Sequence, residues 1–450
     1  MNTPIADFVR AYADSDTSRF HMPGHKGVPF LGPEPLDITE IHGADVLYDA
    51  NGIIRESEDN ASSLFRTAHT FYSAEGSSLS IRAMLALVCD RSDGQRPLIL
   101  AARNVHRAFV YASAWLDFDT MWLYPSRSAH LCACPLSPED VRCALLSADR
   151  KPAAVYLTSP DYLGQTADIE GISIICSEYG VPLLVDNAHG AYLAFLSPSR
   201  HPIALGADMC CDSAHKTLPV LTGGSYLHVS PHAEKRFTEN ARAMLAAFAS
   251  TSPSYLILAS LDLCNRYLAG TYREKLADCV RKTEALKASL SHLNFEPEDS
   301  EPLKVVINGK KHGLSGRALA KYLRREKVEP EFYDDEFLVL MVSAETRDLD
   351  FRRVVAAFER AAESRCDLPQ VAEETHRLVP TAKVMTAREA LLAPRENVAA
   401  KEAAGRICAV PSISCPPAVP IVIGGEIIPA EALSLFEAYG IETVSVVKKR

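Results

Sequence analysis

The chain has 450 residues, room for two or three domains at roughly 150 residues each. With 47% hydrophobic and 23% charged residues, its composition is that of a globular protein and excludes a disordered or fibrous one. Lys plus Arg total 47 against 57 for Asp plus Glu, a net charge of −10. That balance argues against nucleic acid as the main partner and weakly favours a cationic substrate.

The first residues carry Asp7, Arg10, Asp14 and Asp16 and lack the basic start and apolar core of a signal peptide. No apolar run approaches the roughly 20 residues of a membrane span. Twelve cysteines without a secretory signal read as reduced thiols, so the expected compartment is the cytoplasm. Cys132-x-Cys134 and Cys210-Cys211 lack a second pair at zinc spacing, and no metal is expected.

In chain order, short apolar strands alternate with helical stretches from about Ser77 to Val229. The predicted strands are Pro97–Ala101, Ala153–Thr158, Pro182–Asp186, Ala207–Asp212 and Gly224–Val229. The predicted helices are Ser78–Cys89, His106–Leu116, Pro138–Ala148 and Asp168–Tyr179. Runs such as Val181-Pro182-Leu183-Leu184-Val185 suit strands covered on both faces, which predicts a large, mostly parallel α/β domain over residues 1–270. Thr271–Leu293 reads as a long amphipathic helix. Leu303–Ile307, Gly316–Arg325, Glu331–Tyr333, Phe337–Val342 and Leu349–Ala362 then read as βαββα, so residues 271–450 form a smaller α+β region, with a possible division near residue 365. Leu378–Ala404 is mixed and charged. Pro411–Pro429, with five prolines, is expected to be an ordered, irregular loop around Ile421-Val422-Ile423.

Ligands of open α/β sheets bind beyond the carboxyl ends of the strands. There the sequence places Arg103, Asn104 and His106 after one strand, and Asp186, Ala188 and His189 after another. A third is followed by Asp212, Ser213, His215 and Lys216. Glu75-Gly76-Ser77-Ser78 opens a predicted helix. A pyridoxal phosphate site needs a lysine for the Schiff base, a carboxylate facing the pyridinium nitrogen, a phosphate cup and a ring to stack on the cofactor. Lys216, Asp186, the helix start at Gly76-Ser77-Ser78 and His106 match these needs in turn. Taken singly, each has an ordinary structural reading: an N-cap, a turn, a core histidine, a solvated lysine. Their conjunction carries the argument. Lys26, in a second His-Lys pair, is the competing lysine. It sits in a Pro/Gly turn, whereas Lys216 follows a strand thirty residues (216 − 186) beyond Asp186.

Phe20-His21-Met22-Pro23-Gly24-His25-Lys26-Gly27, Asp37-Ile38-Thr39-Glu40, Asp186-Asn187-Ala188-His189-Gly190-Ala191 and Asp212-Ser213-Ala214-His215-Lys216-Thr217-Leu218-Pro219 resemble the bacterial Orn/Lys/Arg decarboxylases. The resemblance runs from about residue 20 to residue 430. It implies the aspartate aminotransferase fold, fold type I of the pyridoxal phosphate enzymes, in a short form without an N-terminal wing domain. It also implies that Lys216 binds the cofactor, Asp186 meets its ring nitrogen, His106 stacks on it and Ala188 covers the other face. Ser77, Ser78, Ser213 and His215 fall at or beside phosphate contacts. Ser250-Thr251-Ser252-Pro253 resembles a segment that reaches the neighbouring subunit's phosphate, so Thr251 and Ser252 imply a homodimer. Glu426 stands where an acidic residue approaches the substrate side chain. Glu75 replaces the usual Asn of an Asn-Gly-Thr/Ser turn, and Cys415-Pro416-Pro417-Ala418 replaces a Tyr-Pro-Pro-Gly; these departures touch the substrate end.

The resulting expectation is α-decarboxylation of a small basic amino acid, arginine slightly ahead of lysine and ornithine, to a polyamine-type amine, with His215 or Lys216 returning the proton to Cα. Transamination, with Arg395 or Arg406 gripping the α-carboxylate, is one rival; an aldol-type cleavage is another. A catalytically silent relative is the third.

Overall fold

The computed structural model describes residues 1–89, 94–126, 130–364, 377, 380–415 and 419–449. They divide into two compact units. The first comprises 1–99, 147–159 and 168–274; the second comprises 100–146, 160–167 and 275–450.

The chain opens with helices α1 (Pro4–Ala13) and α2 (Ile53–Phe65) before strand β1 (His69–Ser73). Then follow α3 (Ser77–Val88), β2 (Leu98–Ala102), α4 (Arg107–Leu116), β3 (Asp119–Leu123), α5 (Pro138–Ser147), β4 (Ala154–Thr158), α6 (Ile169–Glu178) and β5 (Leu183–Asp186). Strand β6 (Met209–Asp212), the single turn α7 (Ala214–Thr217), β7 (Ser225–Val229), α8 (Lys235–Ala246) and α9 (Tyr255–Ala269) complete this part. Within the first unit the strand order is β1-β7-β6-β5-β4. Strands β4, β5 and β6 pair in parallel, while β7 is antiparallel to both β6 and β1. Among these five strands β7 alone is reversed, so β4, β5 and β6 deliver their carboxyl ends to one edge. Strands β5 and β6 are buried at every residue, as their unbroken apolar runs require.

Strands β1 and β3 escape a reading based on apolar runs. In β1, His-Thr-Phe-Tyr-Ser, three of five side chains are polar, yet all five residues are buried. Partners on other elements satisfy them. Glu58 Oε2 lies 3.0 Å from His69 Nε2, and Thr70 Oγ1 lies 2.9 Å from His228 Nδ1. Helix α9 sends Asp262 to the start of α1, where its Oδ2 accepts from the N–H groups of Ile5 and Ala6 at 2.9 and 3.0 Å. This side-chain cap explains a helix start that no local cap marks.

In the second unit, helix α10 (Tyr272–His292) leads to β8 (Lys304–Asn308), α11 (Gly316–Arg325), β9 (Phe332–Tyr333), β10 (Phe337–Met341) and α12 (Asp348–Glu363). The strands form an antiparallel sheet of order β8-β10-β9. Leu286 and Leu290 from α10, Leu319 and Leu323 from α11, and Val354 and Phe358 from α12 close one apolar core with Val305, Ile307, Leu338 and Leu340. The predicted βαββα order holds. After α13 (Ala387–Leu392), a further apolar core draws on β11 (Arg395–Ala399), β12 (Ser412–Cys415), β13 (Val419–Ile423), α14 (Ala432–Ala438) and β14 (Thr443–Val447).

One expectation is corrected here. The proline-rich stretch from 411 to 429 is not irregular throughout: β12 and β13 pair antiparallel within it. All of β13 is buried, and the register shifts between Ile413 and Ser414, beside the Ser414–Pro420 pair. A residue without an N–H is tolerated where the ladder is irregular. Pro416-Pro417-Ala418 and the possible division near residue 365 lie outside the described residues. Among the described residues, no helix is long and apolar enough to cross a membrane.

Candidate active site

Three segments of the first unit carry the expected groups. The first is the carboxyl end of β5. Asp186 is 2% exposed, and its partners are the Tyr156 hydroxyl at 3.3 Å, the Ala188 N–H at 3.2 Å and the Cys211 thiol at 3.7 Å. None is a cation. Burial raises the carboxyl's pKa above its ordinary value, with the Lys216 charge acting in the opposite direction. Ala188 is buried two residues further on.

The second segment follows β6. Ser213 precedes α7, and α7 carries His215 and Lys216. Lys216 is exposed, and its Nζ lies 2.9 Å from His189 Nε2. Lys216 and His189 are thus a hydrogen-bonded amine–imidazole pair between the ends of β5 and β6. His215 is held differently, with Nδ1 2.9 Å from the Gly224 carbonyl oxygen. Burial, then the Lys216 charge, pushes its pKa below the ordinary histidine value.

The third segment is the start of α3. Gly76 adopts φ 71°, and a Cβ there would meet no atom within 4 Å, so the turn opens onto free space. Ser77 follows as the first helical residue, and Ser213 Oγ donates to Ser77 Oγ at 2.8 Å; Ser78 is half-buried. Glu75, where the sequence departs from the family pattern, accepts from the Ser250 N–H at 2.6 Å. Thr251 and Ser252 are exposed beside that tether.

Other expected residues belong to segments besides these three. His106 belongs to the second unit, where it caps α4, its Nδ1 accepting from the Ala108 N–H at 3.2 Å. Glu426 also belongs to the second unit and is 1% exposed. Its Oε2 accepts from Arg103 Nη2 at 3.3 Å and from the Ile423 N–H at 2.8 Å. Lys26 sits in its turn at φ 53° and donates to the His21 carbonyl. Arg406 is committed to Glu396 Oε1 at 2.6 Å and the Val447 carbonyl at 2.9 Å.

The sequence reading assigned no role to His189, Tyr156, Cys211 or Arg103. His189 was detectable, since it follows Asp186 by three residues. Arg103 follows a strand end like His106; Tyr156 and Cys211 lie on neighbouring strands, and no local signal marks them. Near this edge, His201, Cys210 and Asp212 place ligand-type atoms within 4.8 Å of one another. The imidazole contacts to Asp212, however, are hydrogen bonds at 3.0 and 3.1 Å.

Chemically, the first unit offers an amine beside a proton acceptor and a buried carboxylate held by a phenol, an N–H and a thiol. It also offers two linked hydroxyls at the N-terminus of a twelve-residue helix, where backbone N–H groups and the helix dipole favour an anion. This donor set fits an aldehyde-bearing, phosphorylated pyridine: the amine for the aldehyde, the carboxylate for a protonated ring nitrogen, the helix start for the phosphate.

Comparison with known proteins bears on the same point. The family described as Orn/Lys/Arg decarboxylase, major domain, matches residues 3–307. An arginine decarboxylase of Bacillus subtilis (strain 168) is 28% identical over 460 residues, covering 96% of this chain and 92% of the relative. The uncharacterized protein YaaO of the same organism is 30% identical over 455 residues, covering 96% and 93%. In fold, the chain is similar to the lysine decarboxylase LdcF of Francisella novicida, with a TM-score of 0.83 at 16% identity, over 99% of this chain and 81% of that one.

Proposed function

This chain belongs to the Orn/Lys/Arg decarboxylase family and is a pyridoxal phosphate-dependent amino acid decarboxylase; from that premise we propose that it removes CO₂ from arginine in preference to lysine or ornithine. The observation that carries the chemistry is the pairing of Lys216 Nζ with His189 Nε2 at 2.9 Å. The arginine preference is supported by similarity along almost the whole chain to a relative named for that substrate. In the overall reaction the bond from Cα to the carboxylate breaks, CO₂ leaves, and a proton takes its place.

Pyridoxal phosphate, when bound, supplies an electron sink for the pair left at Cα. The protein's residues then divide the remaining work. Lys216 Nζ is the amine that holds the cofactor, and His189 Nε2, 2.9 Å away, accepts a proton from it so that the amine is a nucleophile. Asp186, kept from water, would meet the ring nitrogen and favour its protonated form. Ser77, Ser78 and Ser213 would hold the phosphate. Of the two candidates for returning a proton to Cα, the geometry favours Lys216. The Nδ1–H of His215 is committed to the Gly224 carbonyl, and burial, then the Lys216 charge, works against its protonated form. Arg406, a candidate for gripping the α-carboxylate in transamination, already has two partners, which speaks against that rival.

We assign the active form to a cytoplasmic homodimer in polyamine synthesis. The second copy is supported by an exposed apolar arm: Phe20 is 96%, Phe30 79% and Leu31 91% exposed, a surface that it would cover. The deciding experiment offers arginine, lysine and ornithine separately to purified protein with pyridoxal phosphate and measures CO₂, with Lys216→Ala as control. Release chiefly from arginine, lost in the control, is expected. Release by the control would overturn the role of Lys216, and release chiefly from lysine or ornithine would overturn the substrate.

A further inference from the structure

Behind the cofactor edge of the first unit lies a polar cluster that the chemistry above does not use. Asp212, the last residue of β6, has no exposed surface. Its Oδ2 accepts from two imidazoles, His201 Nε2 at 3.0 Å and His228 Nε2 at 3.1 Å. Its Oδ1 accepts from the Asn187 side-chain N–H at 2.6 Å. His201 and His228 are 1% and 0% exposed, and Asn187 is fully buried. Burial alone would raise the pKa of Asp212, but the two imidazoles outweigh it and hold the carboxyl far below its ordinary range. The carboxylate is therefore a fixed anion with three donors around it.

The direction of these contacts matters more than their number. Asn187 stands between Asp186 and Ala188. Its backbone N–H donates to the Cys211 carbonyl at 3.0 Å, and its side chain donates to Asp212. The loop that begins at Asp186 is thus tied to the end of β6 twice, once by backbone and once through Asp212. A Cβ on Gly190 would come within 2.0 Å of Asn187 Oδ1, so the sequence keeps a glycine where the Asn187 side chain needs space. The histidines fix the anchor on its other side: His228 Nδ1 lies 2.9 Å from Thr70 Oγ1 on β1, and His201 begins the turn that leads into β6.

We propose that Asp212 is a positioning residue for cofactor binding: through Asn187 it fixes the Asp186–His189 loop against the end of β6, with His201 and His228 holding its carboxylate in place. This rests on the reading of Asp186 and Lys216 as cofactor-binding residues. A purely structural alternative makes Asp212 a neutraliser of two buried histidines, in which case its link to Asn187 carries nothing.

The test is a double-mutant cycle of Asp212→Asn and Asn187→Ala, read in two ways. The first readout is amide hydrogen exchange at residues 187–190 in the cofactor-free protein; the second is the dissociation constant for pyridoxal phosphate, followed by its absorbance. Each single variant is expected to speed exchange in the loop and to weaken cofactor binding about tenfold, the worth of one hydrogen bond to a charged group. The double variant is expected to be no worse than the poorer single. Asn187→Ala leaves the histidine–carboxylate contacts whole, so the proposal stays testable if Asp212→Asn fails to fold. Unchanged exchange in Asn187→Ala would overturn the tether. Faster exchange with unchanged cofactor affinity would overturn its bearing on the site, and additive losses would show two independent effects. Because exchange is measured without cofactor, a tether that holds in a protein with no affinity for pyridoxal phosphate would implicate the functional reading instead.

Discussion

Glu426 is the expected residue whose surroundings differ most from its expected task, and the difference can be measured. The sequence reading places it against the substrate's cationic side chain, yet in the second unit it is buried and its charge is met by Arg103. Arg103 is itself 1% exposed, donates to the Pro420 and Ile421 carbonyls at 3.0 and 3.1 Å and lies over the Trp122 ring at 5.2 Å. Removing the carboxylate with Glu426→Ala strands a buried guanidinium, a loss of about 3–5 kcal/mol. Glu426→Gln keeps an acceptor and loses only the charge, about 1.5–3 kcal/mol. Arg103→Met on its own strands the carboxylate in turn. Combining Arg103→Met with Glu426→Gln removes both charges and leaves the two carbonyls without a donor, at about 1 kcal/mol each. The double variant should therefore be about 2 kcal/mol less stable than wild type and no worse than Arg103→Met, a coupling of at least about 1.5 kcal/mol. Equilibrium urea unfolding of the four proteins measures this, with KM and kcat taken on the same samples. Glu426→Gln with unchanged stability and a raised KM would refute the argument and return the residue to the substrate.

Two further outcomes follow from groups away from the cofactor. Burial lifts the Asp161 carboxyl to about 7, against the Gln165 N–H and the Lys304 charge. Since the folded state then holds a proton that the unfolded chain releases near pH 4, this contribution to stability is full below that pH and lost as pH rises through 7. The urea midpoint should fall between pH 5 and pH 8 in wild type and fall less in Asp161→Asn; equal falls would sink the assignment. For the exposed arm, Phe30→Ser with Leu31→Ser should shift a dimer toward monomer in light scattering, and a wild-type monomer at micromolar concentration would rule out the second copy as its cover.

What was legible in the sequence follows the physics of each element. Strands β4, β5, β6 and β7 were found because they are apolar runs bounded by turns, and α11 because its stripe has helical period. Strand β1 was not, because His69 and Thr70 are satisfied by Glu58 and His228, residues that sequence distance hides. The strand pair within residues 411–429 was missed because proline density is a sound sign of irregular backbone except where an apolar run such as Ile421-Val422-Ile423 is buried beside a shifted register.

The same division runs through the site. Residues expected to touch the cofactor, Lys216, Asp186 and Ser77 among them, stand at strand ends and a helix start, positions that hydrophobic pattern and turn chemistry mark out. The groups that orient them come from neighbouring strands and loops and carry no local signal. Tyr156 meets Asp186 across thirty residues, His228 meets Asp212 across sixteen, and Arg103 meets Glu426 across more than three hundred. A motif can therefore assign a carboxylate to a site without saying which charge it faces. Asp186 faces a thiol, a phenol and an N–H. Glu426 faces a guanidinium, and its Oε2 is already taken. Two acidic residues named by one resemblance thus meet different partners, a phenol, an N–H and a thiol for one and a guanidinium for the other.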